Sequence, residues 1–198
     1  MMLDTKARKA VQPIFEKTAN FFIARNLTPN HITVLALMIG LVPAGLLFLG
    51  VPGIWAVGVL WVSGFLDAVD GTMARITKAS SPFGTIMDIT FDRIVEISLI
   101  ILIAGRFSAE PLIFVFLATT IIVNMTIFLT VGAATDKASE KSFYYQPGLT
   151  ERTEGFIMFS LMILLSGYTD IIAMIFSGMI LFTSGQRFLE AYRFFNSK

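Results

Sequence analysis

The residues able to do chemistry cluster between Asp67 and Asp92, in the stretch DAVDGTMARITKASSPFGTIMDITFD. Four aspartates stand there, Asp67, Asp70, Asp88 and Asp92, in a chain otherwise dominated by apolar residues. No charge falls between Leu35 and Leu66, and a second apolar run follows Arg93 and Glu96. A carboxylate in a membrane helix costs about 2.5 to 3.5 kcal/mol on insertion scales, so four of them imply a bound countercharge. Asp67 and Asp70 are three residues apart and share a helix face, which Gly71, Ala74 and Arg75 continue. Asp88 and Asp92 are four apart and form a second face, with Gly84 one turn before Asp88. A turn near Ser80, Ser81 and Pro82 can bring the two faces together. Oxygen ligands, with no cysteine in the chain and no histidine nearby, favour a hard cation such as Mg²⁺ or Mn²⁺, with room for two ions. Gly71 and Ala74 remove bulk beside the carboxylates, and Arg75 suits a phosphate or pyrophosphate. Interhelical ion pairing is the competing explanation, but only Arg75, Lys78 and Arg93 lie nearby to neutralise four carboxylates.

The pattern D-x-x-D-G-x-x-A-R-x8-G-x3-D-x3-D is complete in this chain. It resembles the signature of the CDP-alcohol phosphotransferases, integral membrane enzymes of phospholipid synthesis. The resemblance implies transfer of a phosphoalcohol group from a CDP-alcohol to an acceptor hydroxyl, with release of CMP. Asp67, Asp70 and Asp88 would then hold metal, and Asp92 would share a second ion and act as the base. Asp67, Gly71, Ala74, Arg75 and Gly84 would line the nucleotide site. The segment L-T-P-N-x-I-T also resembles the start of the family's first membrane helix, which adds Asn30 and Thr33 as pocket candidates. Arg152, after a glutamate, and Arg187, after a glutamine, are similar to arginines of members that use a phosphorylated acceptor, such as phosphatidylinositol-phosphate and phosphatidylglycerophosphate synthases. They would bind the acceptor phosphate, the alternative being that both are positive-inside anchors. Lys137 and Lys141 read as solvated loop charges, and the Phe143-Tyr144-Tyr145 run has no place in the expected pattern.

CDP-diacylglycerol is the implied donor, inositol phosphate or glycerol 3-phosphate the implied acceptor, and a homodimer the implied assembly. Two alternatives stand beside this. One is transfer from a soluble CDP-alcohol to a lipid acceptor. The other, from a different class, is a carboxylate-lined cation transporter, which does not account for the spacing of Gly71, Ala74, Arg75 and Gly84.

The elements that must position these residues follow from composition. The 198 residues are 55% hydrophobic, with a mean hydropathy of +0.75. That excludes an ordinary soluble domain and predicts an all-α polytopic membrane protein. The formal net charge of +1 gives no nucleic-acid footprint. The first 25 residues lack the pattern of a cleavable signal peptide. Residues 1–26 carry Lys6, Arg8, Lys9, Lys17 and Arg25 among apolar positions at helical spacing, broken near Pro13. They predict an amphipathic helix on the membrane surface, ahead of a membrane domain over 27–198.

Six membrane spans are expected in that domain. The first starts with Thr28 as N-cap and Pro29 at the first helical position, and reaches about Gly50. His31, the single histidine, reads as interfacial rather than as a ligand. The second (about 54–77) and third (about 82–105) carry the two halves of the motif on either side of one turn. The fourth (about 112–134) holds Asn124, read as an interhelical hydrogen-bond donor. The fifth and sixth cover about 154–168 and 170–195. Gly40, Gly45, Gly58 and Gly64 permit close helix packing. Lysine and arginine concentrate in the N-terminal arm, the 75–81 turn, the 135–153 loop and the C-terminal tail. The positive-inside rule places those segments, and the motif, on the cytoplasmic side of the cell membrane.

Overall fold

The computed structural model describes residues 2–107, 110–136 and 152–196, with side chains over 11–107, 110–135 and 152–196. Lys137, Lys141 and Phe143-Tyr144-Tyr145 lie outside the described residues, as do the side chains of Lys6, Arg8 and Lys9. The described chain is helical: α1 (Met2–Ile23), α2 (Pro29–Phe48), α3 (Gly53–Thr77), α4 (Pro82–Arg106), α5 (Pro111–Asp136), α6 (Arg152–Leu164) and α7 (Thr169–Asn196), with a 3₁₀ turn at Ser166–Tyr168.

Local chemistry sets the helix starts that matter for the site. Thr28 caps α2 in extended geometry, and Pro29 opens the helix. The cap is reciprocal: His31 N donates to Thr28 Oγ1 at 3.4 Å, and Thr28 N donates to His31 Nδ1 at 3.2 Å. His31 therefore works as the distal half of a capping box, in the place usually taken by Glu or Gln. At the start of α4, Ser81 Oγ accepts from Gly84 N at 3.0 Å ahead of Pro82. At the end of α3, Lys78 turns into the left-handed region (φ 54°), and Ala79 N closes back onto Ala74 O at 3.1 Å. The turn between the motif halves is thus short and stopped on both sides.

α2 packs against both α3 and α4, which make few contacts with each other. Gly40 is where this wedge is tightest. A Cβ there would lie 2.6 Å from Val95 Cγ2 on α4 and 2.7 Å from Ser63 Oγ on α3. Ser63 Oγ donates across to Ala36 O at 2.8 Å. Gly64 is equally tight against Phe156 on α6, whereas Gly45 and Gly58 face open space. The main core joins Leu60, Leu99, Ile103, Phe159, Met162 and Phe176 from α3, α4, α6 and α7. A smaller core joins α1, α2 and α3 through Ala19, Ile32, Ala36, Val69 and Met73.

One expectation changes here, and two others are met in part. α1 is continuous through Pro13 rather than broken there. A proline removes one backbone donor, and flanking turns can carry the helix past it. α1 is also more than a surface element: Ala19 is fully buried, and Phe15 meets Phe65 of α3 at 5.4 Å between centroids. Finally, four of the described helices are long and apolar enough to cross a bilayer, namely α2, α3, α5 over Pro111–Thr135, and the stretch Ser166–Asn196. α4 has the length but carries Asp88, Asp92, Arg93 and Glu96 between its seventh and fifteenth residues. α6 has 13 residues and ends at Leu164 instead of 168; at 1.5 Å per residue it covers about 20 Å, short of a hydrocarbon core of about 30 Å.

Candidate active site

The last half of α3 and the first half of α4 bring Asp67, Asp70 and Asp88 together. One carboxylate oxygen from each lies within 4.8 Å of the others. Asp70 is 6% exposed, and its Oδ2 is buried without a hydrogen-bond partner. Three convergent carboxylates with a buried, unpartnered oxygen fit a hard divalent cation, whose ligands are oxygens at about 2.0 to 2.1 Å for Mg²⁺.

Asp92 stands one turn further along α4, outside that triad, and is tied to it by Arg152. At the first position of α6, Arg152 donates through Nη1 to Asp67 Oδ2 and through Nη2 to Asp92 Oδ1, the latter at 2.7 Å. One guanidinium thus spans two of the four motif carboxylates. Asp92 also borders a small void of about 20 Å³ with Arg152 and Glu96, and Glu96 pairs with Arg93 at 2.6 Å.

Two cavities meet at the triad. The polar one, about 240 Å³, lies between the start of α2 and the α3–α4 turn. Asn30, Thr33, Gly71, Ala74, Arg75 and Gly84, all singled out from the sequence, line it together. Gly84 is where a side chain would intrude, its absent Cβ lying 3.1 Å from Ser81 Oγ and 3.3 Å from Asn30 Oδ1. Arg75 is steadied by its Nη2 donating to Thr72 Oγ1 at 2.8 Å. The second cavity, about 690 Å³, is walled by Ile14 and Phe15 of α1, Trp61 and Phe65 of α3 and Phe156 of α6, with Asp67 and Arg152 at its border. Asp70, Gly71, Arg75 and Asp88 belong to both cavities. The arrangement can hold an amphiphile whose polar part, charged linkage and apolar part lie in sequence.

Arg187 is placed differently. It is 7% exposed on α7, its Nη1 donates to Asn124 Oδ1 at 3.2 Å, and its guanidinium sits 5.1 Å from the Phe128 ring. It lines neither cavity at the triad. Asn124 does bridge helices, but its side-chain oxygen accepts from Ser184 and Arg187 of α7, a correction to its expected role as donor. The apolar wall from α1, Trp61 and Phe156 escaped the sequence reading. The helical spacing of Ile14 and Phe15 signalled an apolar face, but nothing local says that this face closes a cavity.

Residues 26–184 match the family described as CDP-alcohol phosphatidyltransferase. The chain is 35% identical over 101 residues to a phosphatidylinositol phosphate synthase of Corynebacterium glutamicum, covering 48% of this chain and 43% of that one. It is 34% identical over 100 residues to an archaetidylinositol phosphate synthase of Pyrococcus horikoshii, covering 50% and 53%. The matches thus span about half the length of these two relatives. Along 96% of both chains it is 27% identical to the inner membrane protein YnjF of Escherichia coli. Among solved structures it resembles the Mycobacterium tuberculosis phosphatidylinositol phosphate synthase with CDP-DAG bound, with a TM-score of 0.72 and 21% identity over 91% of this chain and 94% of that one. The same enzyme with manganese and citrate gives a TM-score of 0.71 at 20% identity, covering 90% and 88%. At that identity the likeness establishes the fold.

Proposed function

Because the chain belongs to the CDP-alcohol phosphatidyltransferase family, we propose that it moves a phosphatidyl group from CDP-diacylglycerol to the hydroxyl of a small phosphorylated polyol, such as inositol phosphate or glycerol 3-phosphate, and releases CMP. The observation that carries this reading is the junction of a polar and an apolar cavity on one carboxylate triad. A CDP-linked lipid has a matching order of parts: nucleoside, pyrophosphate, acyl chains.

In this reading the polar cavity takes the cytidine end, with Gly71, Ala74 and Gly84 leaving the room and Asn30 and Thr33 supplying polar edges. Arg75 faces the pyrophosphate. The apolar wall of Ile14, Phe15, Trp61 and Phe65 takes the acyl side. Asp67, Asp70 and Asp88 would hold a Mg²⁺ or Mn²⁺ ion, with Asp92 contributing to a second. The bound metal would supply charge neutralisation as the pyrophosphate P–O bond breaks. Arg152 presents the acceptor phosphate so that its hydroxyl lies beside Asp92. Asp92 takes the hydroxyl proton while that oxygen attacks the lipid-linked phosphorus, and the bridging oxygen leaves with CMP. Arg187, seated on Asn124 and Phe128 of α5, remains the second candidate for the acceptor phosphate beside Arg152.

Six spans remain the topology we infer. α4 crosses with its charged face turned to the site, as membrane carboxylates do, and α6 supplies a short fifth crossing. The positive-inside bias supports a cytoplasmic site in the cell membrane, and the family resemblance supports a homodimer.

The test is CMP release by the purified protein with Mg²⁺ or Mn²⁺, CDP-diacylglycerol and a panel of inositol phosphate, glycerol 3-phosphate, serine and inositol. Release that requires a phosphorylated acceptor is expected. Release only with a soluble CDP-alcohol and diacylglycerol would overturn the donor assignment.

A further inference from the structure

Arg152 is held from two sides. Its guanidinium forks onto Asp67 and Asp92, and its Cζ stands 5.7 Å from the centroid of the Phe156 ring, one turn along α6. A guanidinium within about 6 Å of an aromatic face gains cation–π attraction, and the flat ring restricts its rotamers.

Phe156 is in turn fixed by α3. A Cβ on Gly64 would fall 2.6 Å from Phe156 Cε1 and 3.1 Å from Cζ, so the ring occupies the space that a side chain at 64 would take. Trp61 closes another edge, T-shaped, with centroids 5.9 Å apart. Trp61 Nε1 donates to Ser160 Oγ at 3.1 Å, and that hydroxyl donates to Phe156 O at 2.7 Å. Trp61, Gly64, Phe156 and Ser160 form a closed brace between α3 and α6, and none of them belongs to the aspartate motif. Phe156 also borders both the apolar cavity and the small void beside Asp92.

We propose that Phe156, seated on Gly64 and backed by Trp61, is a positioning residue for Arg152. It keeps the guanidinium across Asp67 and Asp92. It thereby sets how well the site takes a phosphorylated acceptor and how readily a divalent cation displaces the guanidinium from those carboxylates. The guanidinium and a cation compete for the same oxygens, so loosening one favours the other. This deepens the acceptor role assigned to Arg152 above, and the test separates the two.

Four forms of the full-length protein in detergent are compared: wild type, Phe156→Leu, Arg152→Gln and the double variant. Mn²⁺ affinity is measured by calorimetry without substrate, and KM is measured for the phosphorylated acceptor and for CDP-diacylglycerol. Phe156→Leu is expected to tighten Mn²⁺ binding about three- to tenfold, the scale of one cation–π contact. It should raise the acceptor KM by a similar factor, and by more than it moves the donor KM, since Phe156 also walls the apolar cavity. The double variant should match Arg152→Gln, because a residue that acts through Arg152 adds nothing once Arg152 is gone. Unchanged Mn²⁺ affinity in Phe156→Leu, or full additivity with Arg152→Gln, overturns the positioning role. Where Phe156→Leu does not fold, Trp61→Phe, which drops the bond to Ser160, should shift Mn²⁺ affinity in the same direction; no shift there overturns the role equally. If wild type releases no CMP with any phosphorylated acceptor, the acceptor assignment falls, while the Mn²⁺ measurements still decide the role of Phe156.

Discussion

Asp70→Asn tests the charge at the junction of the two cavities, and its effect should change sign with metal. The side chain is 6% exposed and its Oδ2 has no partner, while oxygens of Asp67 and Asp88 lie within 4.8 Å. Without metal this is a costly arrangement, since an unsatisfied buried acceptor alone costs about 1 to 3 kcal/mol. Asparagine keeps the shape, removes the charge and adds donors for the neighbouring carboxylates. The metal-free variant should therefore melt above wild type, by a few degrees for each kcal/mol at roughly this chain length. With Mn²⁺ present the order reverses. Even a single unit of the ion's charge taken at about 4 Å attracts the Asp70 carboxylate by about 4 kcal/mol at an effective dielectric of about 20, a lower bound for a divalent ion. If reduced desolvation returns half of that, about 2 kcal/mol is lost, roughly thirtyfold in affinity at 1.36 kcal/mol per decade. Calorimetric Mn²⁺ titration gives the affinity, and thermal melts with and without Mn²⁺ give the crossover. A variant that binds Mn²⁺ within about threefold of wild type, against the thirtyfold worked above, would show that Asp70 is not a metal ligand. One that melts below wild type without metal would refute the strain argument.

Three other substitutions probe separate parts of the site. Asp92→Asn should cut CMP release by roughly 10² to 10⁴, the usual range for losing a general base, while nucleotide binding measured by calorimetry persists; turnover near wild type would remove Asp92 from the base role. Gly84→Ala places a methyl 3.1 Å from Ser81 Oγ and 3.3 Å from Asn30 Oδ1, so the KM for the CDP donor should rise several-fold with the acceptor KM unmoved. Gly40→Ala drives a methyl to 2.6 Å from Val95 Cγ2 and 2.7 Å from Ser63 Oγ, in the wedge between α3 and α4. Overpacking of this kind costs about 1 to 3 kcal/mol, seen as a lower melting temperature, and an unchanged melt would mean that the wedge is looser than its contacts indicate.

What could be read from the chain alone is what depends on neighbours within a few residues. Thr28 with Pro29 and Ser81 with Pro82 start α2 and α4, because a cap and a fixed proline φ act inside one turn. The three- and four-residue spacings put Asp67 with Asp70 and Asp88 with Asp92 on common faces, because helical geometry repeats every 3.6 residues. The complete motif carried the family, and Asn30, Thr33, Gly71, Ala74, Arg75 and Gly84 line one polar cavity.

Tertiary structure alone decided which faces meet. In a chain this apolar, hydropathy is similar all around most helices, so it does not say which side packs on which neighbour. Shape does: Val95 fits only because residue 40 has no side chain, and Phe156 fits only because residue 64 has none. The second fit draws α6 onto α3 and carries Arg152 to Asp67 and Asp92, 85 and 60 residues away in sequence. The same kind of packing sends Arg187 to Asn124 on α5, although the two arginines look alike in sequence. It also makes α1 a wall of the apolar cavity. Capping and periodicity are local and therefore written in short segments, whereas the partner of a buried charge is set by steric complementarity between segments far apart in the chain.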